Sequence, residues 1–182
     1  MCHTYLTEQN LASIEPEEAR RLFVNDTDGN VTDSGNEAKP ILIDVRLKES
    51  YDAEHALGAV NVPLFREVQG NGFFDTLKRV AMGGFAMKAT ERDPDFIGNL
   101  KKMIGSEEKT VPLIVMCSIG GTLDTMIRRP GRKPYADPDR SFGRESRSLK
   151  ACYEIMMAGY SNVKHVSGGL QVWRKEGLPM GP

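Results

Sequence analysis

Two short runs without a polar residue, Ile41-Leu42-Ile43 and Leu113-Ile114-Val115-Met116, constrain most what this chain can fold into. Neither alternates polar with apolar residues, and both are rich in types that suit strands. A strand whose every side chain is apolar must be covered on both faces, as in a parallel sheet. Ala59 to Val62, closed by Pro63, and Val163 to Val166, closed by Ser167-Gly168-Gly169, are further strand candidates.

Helical patterns lie between these runs. Glu15-Pro16-Glu17-Glu18 opens a helix with Ala19, Leu22 and Phe23 facing inward, its acidic first turn suiting the positive end of the helix dipole. Asp93-Pro94 predicts another, with Asp93 as N-cap and Pro94 at the first helical position. Phe96, Ile97, Leu100, Met103 and Ile104 form its apolar face and Gly105 stops it. A helix from about Ser148 places Leu149, Cys152, Ile155 and Met156 on one stripe, and Leu170 to Glu176 carries Val172 and Trp173. Strands alternating with helices predict an α/β domain: a mostly parallel central sheet with helices on both faces.

A chain of 182 residues, 40% hydrophobic, suits one domain with a real core. Asn25 to Lys39 is polar and reads as an exposed loop. Leu64 to Arg92 holds an amphipathic helix candidate around Phe73 to Val80, then the small-residue stretch Ala81-Met82-Gly83-Gly84. Gly121 to Ser146 is irregular and contains Pro130, Pro134 and Pro138.

Lysine and arginine total 24 against 25 acidic residues, a balance that argues against nucleic acid as a main partner. No apolar run approaches the ~20 residues of a membrane span, and Met1-Cys2-His3-Thr4 does not open a secretory signal. The cysteines Cys2, Cys117 and Cys152 are odd in number and unpaired in spacing, which favours a reducing compartment over a disulfide framework. With histidines only at His3, His55 and His165, no Cys/His spacing marks a zinc site, and no metal or other cofactor is expected.

Ligands of open α/β sheets bind beyond the carboxyl ends of the strands. Cys117 stands there, directly after Leu113 to Met116 and before Ser118-Ile119-Gly120-Gly121. Glycines let the chain curl so that successive N–H groups face an anion, which favours a thiolate or persulfide and an anionic sulfur donor such as thiosulfate. Position alone is equally compatible with a cysteine buried in the core.

The wider sequence resembles the rhodanese family. Ile43-Asp44-Val45-Arg46, then Glu49, Tyr51, His55, Gly58-Ala59, Asn61 and Pro63, is similar to that family's opening signature. Gly159-Tyr160-Ser161-Asn162-Val163, Gly168-Gly169, Trp173 and Glu176-Gly177-Leu178-Pro179 resemble its closing one. Cys117-x-x-Gly120 and Arg147-Ser148-x-x-Ala151 resemble the two halves of its active-site loop. The likeness covers a core of about residues 40–179 within a single domain of residues 1–182. It implies a thiosulfate sulfurtransferase, an enzyme in which Cys117 takes sulfane sulfur from thiosulfate or a similar donor as a persulfide. Cyanide, or a small or protein thiol, then accepts that sulfur. Ser118, Ile119, Gly120, Gly121, Thr122, Arg147 and Ser148 are the residues expected to bind the substrate and the persulfide.

One departure is large. The family's arginine follows the cysteine closely, whereas Arg147 lies 30 positions after Cys117. The intervening residues 121–146 read as an inserted loop resembling that of plant and algal chloroplast rhodanese proteins, which implies a chloroplast. A solvated loop and a lid or docking surface are both open for it. An interaction module with weak or no catalysis is the alternative function. A cysteine phosphatase on the same fold would need Cys-x5-Arg, and Leu123 occupies that spacing. Asp44 and Arg46 are expected to organise the sheet edge, His55 to be structural, Trp173 to be core, and Cys152 to be packed and inert. Cys2 is expected as at most an exposed thiol near a mobile terminus.

Overall fold

The computed structural model describes residues 2–24, 38–68, 90–124, 126–127, 133, 135–136 and 146–182. The helix expected at Phe73 to Val80, nearly all of the loop Asn25 to Lys39, and much of 121–146 lie outside them.

The two apolar runs become neighbours. β2 (Ile41–Asp44) and β7 (Leu113–Met116) pair in parallel from Ile41 opposite Leu113 to Asp44 opposite Met116. β10 (Val163–Val166) lies on the other side of β7, β1 (Ala12–Ile14) beyond it, and β4 (Val60–Asn61) beside β2. The sheet order is β1-β10-β7-β2-β4, and every pairing in it is parallel. β7 is central, and all four of its residues are buried, as its composition requires.

Because side chains alternate along a strand, each strand feeds both faces. On one face Ile43, Leu113, Val115 and Cys117 meet α1 (Cys2–Glu8), α4 (Phe96–Ile104) and α5 (Arg147–Met157) through Leu6, Phe96, Leu100, Leu149 and Cys152. On the other, Leu42, Ile114 and Met116 meet α2 (Pro16–Val24) and α6 (Gly169–Lys175) through Ala19, Phe23, Leu170 and Trp173. Trp173 is fully buried and donates its indole N–H to Pro179 O at 3.0 Å. α3 (Lys48–Ala53) follows β2 on the surface.

Three sequence expectations shift. The sheet extends beyond the expected core of 40–179, because Ala12–Ile14 supplies its edge strand. α4 starts at Phe96, later than the Asp93-Pro94 reading. The Asp93 carboxylate instead accepts the Asp95 N–H at 3.0 Å and the Asn99 side-chain amide at 3.2 Å, so an Asx turn precedes the helix. The terminal segment is ordered as α1, and Cys2 is half-buried against the core. Gly105 does end α4, in the left-handed conformation at φ 69°.

Three two- and three-residue ladders complete the described fold. β3 (His55–Ala56) pairs with β11 (Met180–Gly181), β5 (Phe65–Glu67) with β6 (Thr90–Arg92), and β8 (Met126–Ile127) with β9 (Tyr135–Ala136). Among the described residues no helix is long and apolar enough to cross a membrane.

Candidate active site

Cys117 leaves the tip of β7 with 2% of its surface exposed, and the loop that follows it returns to the surface at Ser118 and Ile119. The loop carbonyls are taken by the start of α6: Cys117 O accepts from Leu170 N at 2.8 Å and Ser118 O from Gln171 N at 2.9 Å. With those carbonyls engaged, the N–H groups of Ser118, Ile119 and Gly120 find no acceptor among the described residues.

The second glycine departs from the expected cradle. Gly121 donates its N–H to Ile119 O at 2.7 Å, closing a tight turn in which Gly120 has φ 68°. This turn commits the Gly121 N–H to the loop itself and carries the Gly120 carbonyl inward. Three side chains reach its oxygen: His165 Nε2 at 2.6 Å and Ser146 Oγ donate to it, and Ser148 Oγ stands 3.1 Å away. Gly120 and Gly121 both occupy positive φ, where a side chain would be strained.

Ser146 caps α5, its Oγ accepting the Leu149 N–H at 3.2 Å. The cap sets the first turn of the helix so that Ser148 faces the sheet, and Ser148 Oγ stands 3.1 Å from Cys117 Sγ. Arg147, one position earlier, is on the exposed side. Its guanidinium lies 5.5 Å from the Phe65 ring centroid, a cation–π distance. Thr122 is exposed, and its Oγ1 accepts the Asp124 N–H at 2.9 Å. Of the residues singled out in the sequence, Cys117, Gly120 and Ser148 are brought together, whereas the side chains of Ile119, Thr122 and Arg147 turn to the surface.

His165 is the residue that sequence reasoning missed. It lies on β10 opposite Val115 of β7 and Ser13 of β1, on the sheet face that α5 covers, and is fully buried. Its Nδ1 is 3.1 Å from Ser13 Oγ and its Nε2 3.1 Å from Ser148 Oγ. Burial pushes its pKa down to about 4, against the opposing pull of the Gly120 carbonyl. The ring is therefore neutral near pH 7. The one available sequence signal was its place two residues before Ser167-Gly168-Gly169, near a strand's carboxyl end.

The second buried thiol is unlike the first. Cys152 sits within the apolar stripe of α5. Burial pushes its pKa up, with Cys117 and Cys2 adding smaller shifts in the same direction, so it stays a thiol. At the opposite edge of β7, Asp44 and Arg46 form a buried bidentate pair, with Arg46 Nη2 2.7 Å from Asp44 Oδ2 and 2.6 Å from Glu54 O. Asn61 donates to Asp44 O at 2.9 Å and to Arg46 O at 3.0 Å. These four residues tie the ends of β2 and β4 to the α3–β3 connection. His55 stacks on Tyr51 at 3.9 Å between ring centroids and bonds Tyr51 O at 3.0 Å. No group of three or more possible metal ligands occurs among the described residues.

No family model matches the chain. Individual proteins do. It is 32% identical over 176 residues to the rhodanese-like domain-containing protein 14, chloroplastic, of Arabidopsis thaliana, covering 96% of this chain and 67% of that protein. It is 28% identical over 137 residues to the thiosulfate sulfurtransferase 16, chloroplastic, of the same plant, covering 75% of this chain and 76% of that one. The crystal structure of a thiosulfate sulfurtransferase from Pseudomonas aeruginosa matches with a TM-score of 0.50 at 15% identity. That match covers 99% of this chain and 22% of the other, and it bears on the fold alone. Both plant relatives are chloroplastic, which supports a plastid location.

Proposed function

Since the chain belongs to the family of rhodanese-like domain proteins, we propose that it is a sulfurtransferase whose sulfur carrier is Cys117. The observation that carries this reading is the sequence of three N–H groups, Ser118 to Gly120, without acceptors among the described residues directly after a cysteine at a strand tip. Amides in succession favour an anion, here the thiolate, the persulfide and the anionic donor. The Ser148 hydroxyl, at 3.1 Å, is a further donor to the same sulfur.

The reaction is covalent catalysis in two exchanges. Cys117 thiolate attacks the outer sulfur of thiosulfate; the new S–S bond forms as the old one breaks, and sulfite leaves with its electron pair. A nucleophilic acceptor, cyanide or a thiol, then attacks the outer persulfide sulfur and restores the thiolate. No metal or organic cofactor takes part in these steps. Because Cys117 is 2% exposed, donor entry requires the loop at Ser118 to Gly121 to move outward. Residues 121–146, between Gly121 and the Ser146 cap, are on this reading an insertion within the single domain.

Steady-state turnover of thiosulfate and cyanide by the wild-type protein and Cys117→Ser tests the proposal. Parallel lines in double-reciprocal plots for the wild type, and no thiocyanate from the variant, are expected. Equal rates for the two proteins would refute it. A second reading, an interaction module with weak or no catalysis, draws on the burial of Cys117. It predicts no turnover by the wild type with either cyanide or protein thiols as acceptor.

A further inference from the structure

His165 has no part in the transfer steps, yet it shares two partners with the proposed sulfur site. The Gly120 carbonyl oxygen can only accept, so at 2.6 Å His165 Nε2 must carry the ring proton. The buried ring is neutral, so Nδ1 bears none and accepts from Ser13 Oγ at 3.1 Å. Ser13 thus fixes the tautomer, and the tautomer fixes what Gly120 receives. The carbonyl oxygen has two lone pairs. Ser146 Oγ–H and His165 Nε2–H fill both.

Ser148 has a single hydroxyl proton and three acceptors within reach: Gly120 O and Cys117 Sγ, each at 3.1 Å, and Ser146 Oγ at 3.0 Å. When the carbonyl is already filled, an anionic Cys117 sulfur takes the proton in preference to the neutral Ser146 hydroxyl, because a hydrogen bond to a charged acceptor is the stronger. We propose that His165, held by Ser13, is a positioning residue for the sulfur site: by occupying the Gly120 carbonyl it turns the Ser148 hydroxyl toward Cys117 Sγ. The inference rests on Cys117 being the sulfur carrier. With the neutral thiol, Cys117 S–H donates to Ser148 Oγ and the Ser148 proton turns to Ser146 Oγ, 3.0 Å away. The hydroxyl therefore reverses its sense as the sulfur gains or loses its proton, at no change in heavy-atom positions. Among the described residues, the Cys152 thiol on α5 interacts electrostatically with Cys117 and with Cys2 of α1, and Tyr5, Tyr153 and Tyr160 belong to the same apolar cluster. No charged side chain is hydrogen-bonded to Cys117, Ser148 or His165 among the described residues.

The test is the pH dependence of single-turnover sulfur uptake from thiosulfate, followed by intact mass. His165→Leu removes the donor and is expected to slow uptake at pH 7 by about tenfold, the order of one hydrogen bond to a charged group. Its rate is expected to recover at higher pH. His165→Gln, which keeps a donor, is expected to retain most of the rate. Ser148→Ala is expected to slow uptake similarly, and adding His165→Leu to it to cost nothing further. Should His165→Leu not fold, Ser13→Ala, which leaves the ring in place, is expected to shift the profile in the same direction by a smaller amount. A wild-type profile in the folded His165 or Ser13 variant, or a double variant slowed by the product of the two single effects, would overturn the inference. Wild type that takes up no sulfur overturns the sulfurtransferase reading instead. The same order of variants is then read from the pH dependence of Cys117 alkylation by iodoacetamide, where a wild-type profile in His165→Leu would overturn the inference equally.

Discussion

Ser148 Oγ lies 3.1 Å from Cys117 Sγ although the two residues are 31 positions apart in the chain. The contact joins the halves of a loop motif that the sequence separates. Three features produce it: β7 ends at Cys117, α6 docks on the carbonyls of Cys117 and Ser118, and Ser146 caps α5 while bonding Gly120. The helix end and the strand end are thus fixed to each other through one carbonyl oxygen, that of Gly120.

The fold should weaken in mild acid through His165. Its pKa falls from 6.5 in solution to about 4 in the fold, so between those values the unfolded chain binds a proton that the folded one does not. Stability is therefore fully present above about pH 6.5 and is lost as pH falls toward 4. The full difference amounts to about 3 kcal/mol. Urea denaturation across this range should show the decline, and His165→Gln should flatten it. An equal slope in both proteins would contradict the buried neutral ring.

Two glycines with the same backbone conformation should respond differently to alanine. Gly120 and Gly105 have φ 68° and 69°. A Cβ on Gly105 meets nothing within 4 Å, whereas one on Gly120 falls 2.5 Å from Gly168 N and 2.7 Å from Val166 O. Gly105→Ala carries only the left-handed strain, about 1 kcal/mol. Gly120→Ala adds overpacking against backbone, for a total of about 2–4 kcal/mol. Thermal unfolding of the two variants measures the gap, and sulfur transfer should fall only in Gly120→Ala.

Much of this architecture was legible in the sequence because its central strands have no polar face. Ile41 to Ile43 and Leu113 to Met116 admitted only a doubly covered sheet, and the glycines after Cys117 marked the tight loop at the carboxyl end of its central strand. β1 was not legible: Ala12-Ser13-Ile14 is three residues of mixed polarity with only Ile14 buried, and its pairing with β10 spans most of the chain. Nor was the conformation of Gly120-Gly121, since glycine permits a cradle of amides and an inward carbonyl alike. His165 carried no spacing pattern either, because its partners lie 152, 45 and 17 positions away.

The two buried cysteines, Cys117 and Cys152, should separate by reactivity. Cys152 is fully buried and kept as a thiol by its surroundings. In the folded protein, iodoacetamide should leave Cys152 unmodified over a period in which Cys117 is labelled, and should reach it only after denaturant is added. Peptide mapping distinguishes the sites. Labelling of Cys152 at the rate of Cys117 under native conditions would show that α5 does not pack against the sheet as described.

The central claim, that sulfur travels on Cys117, is tested most directly by the intact mass of the protein after thiosulfate and again after cyanide. The wild type is predicted to gain one sulfur atom, mapped to Cys117 and removed by cyanide, while Cys117→Ser gains none. A wild-type mass unchanged by thiosulfate, or a gain that persists in Cys117→Ser, would contradict it.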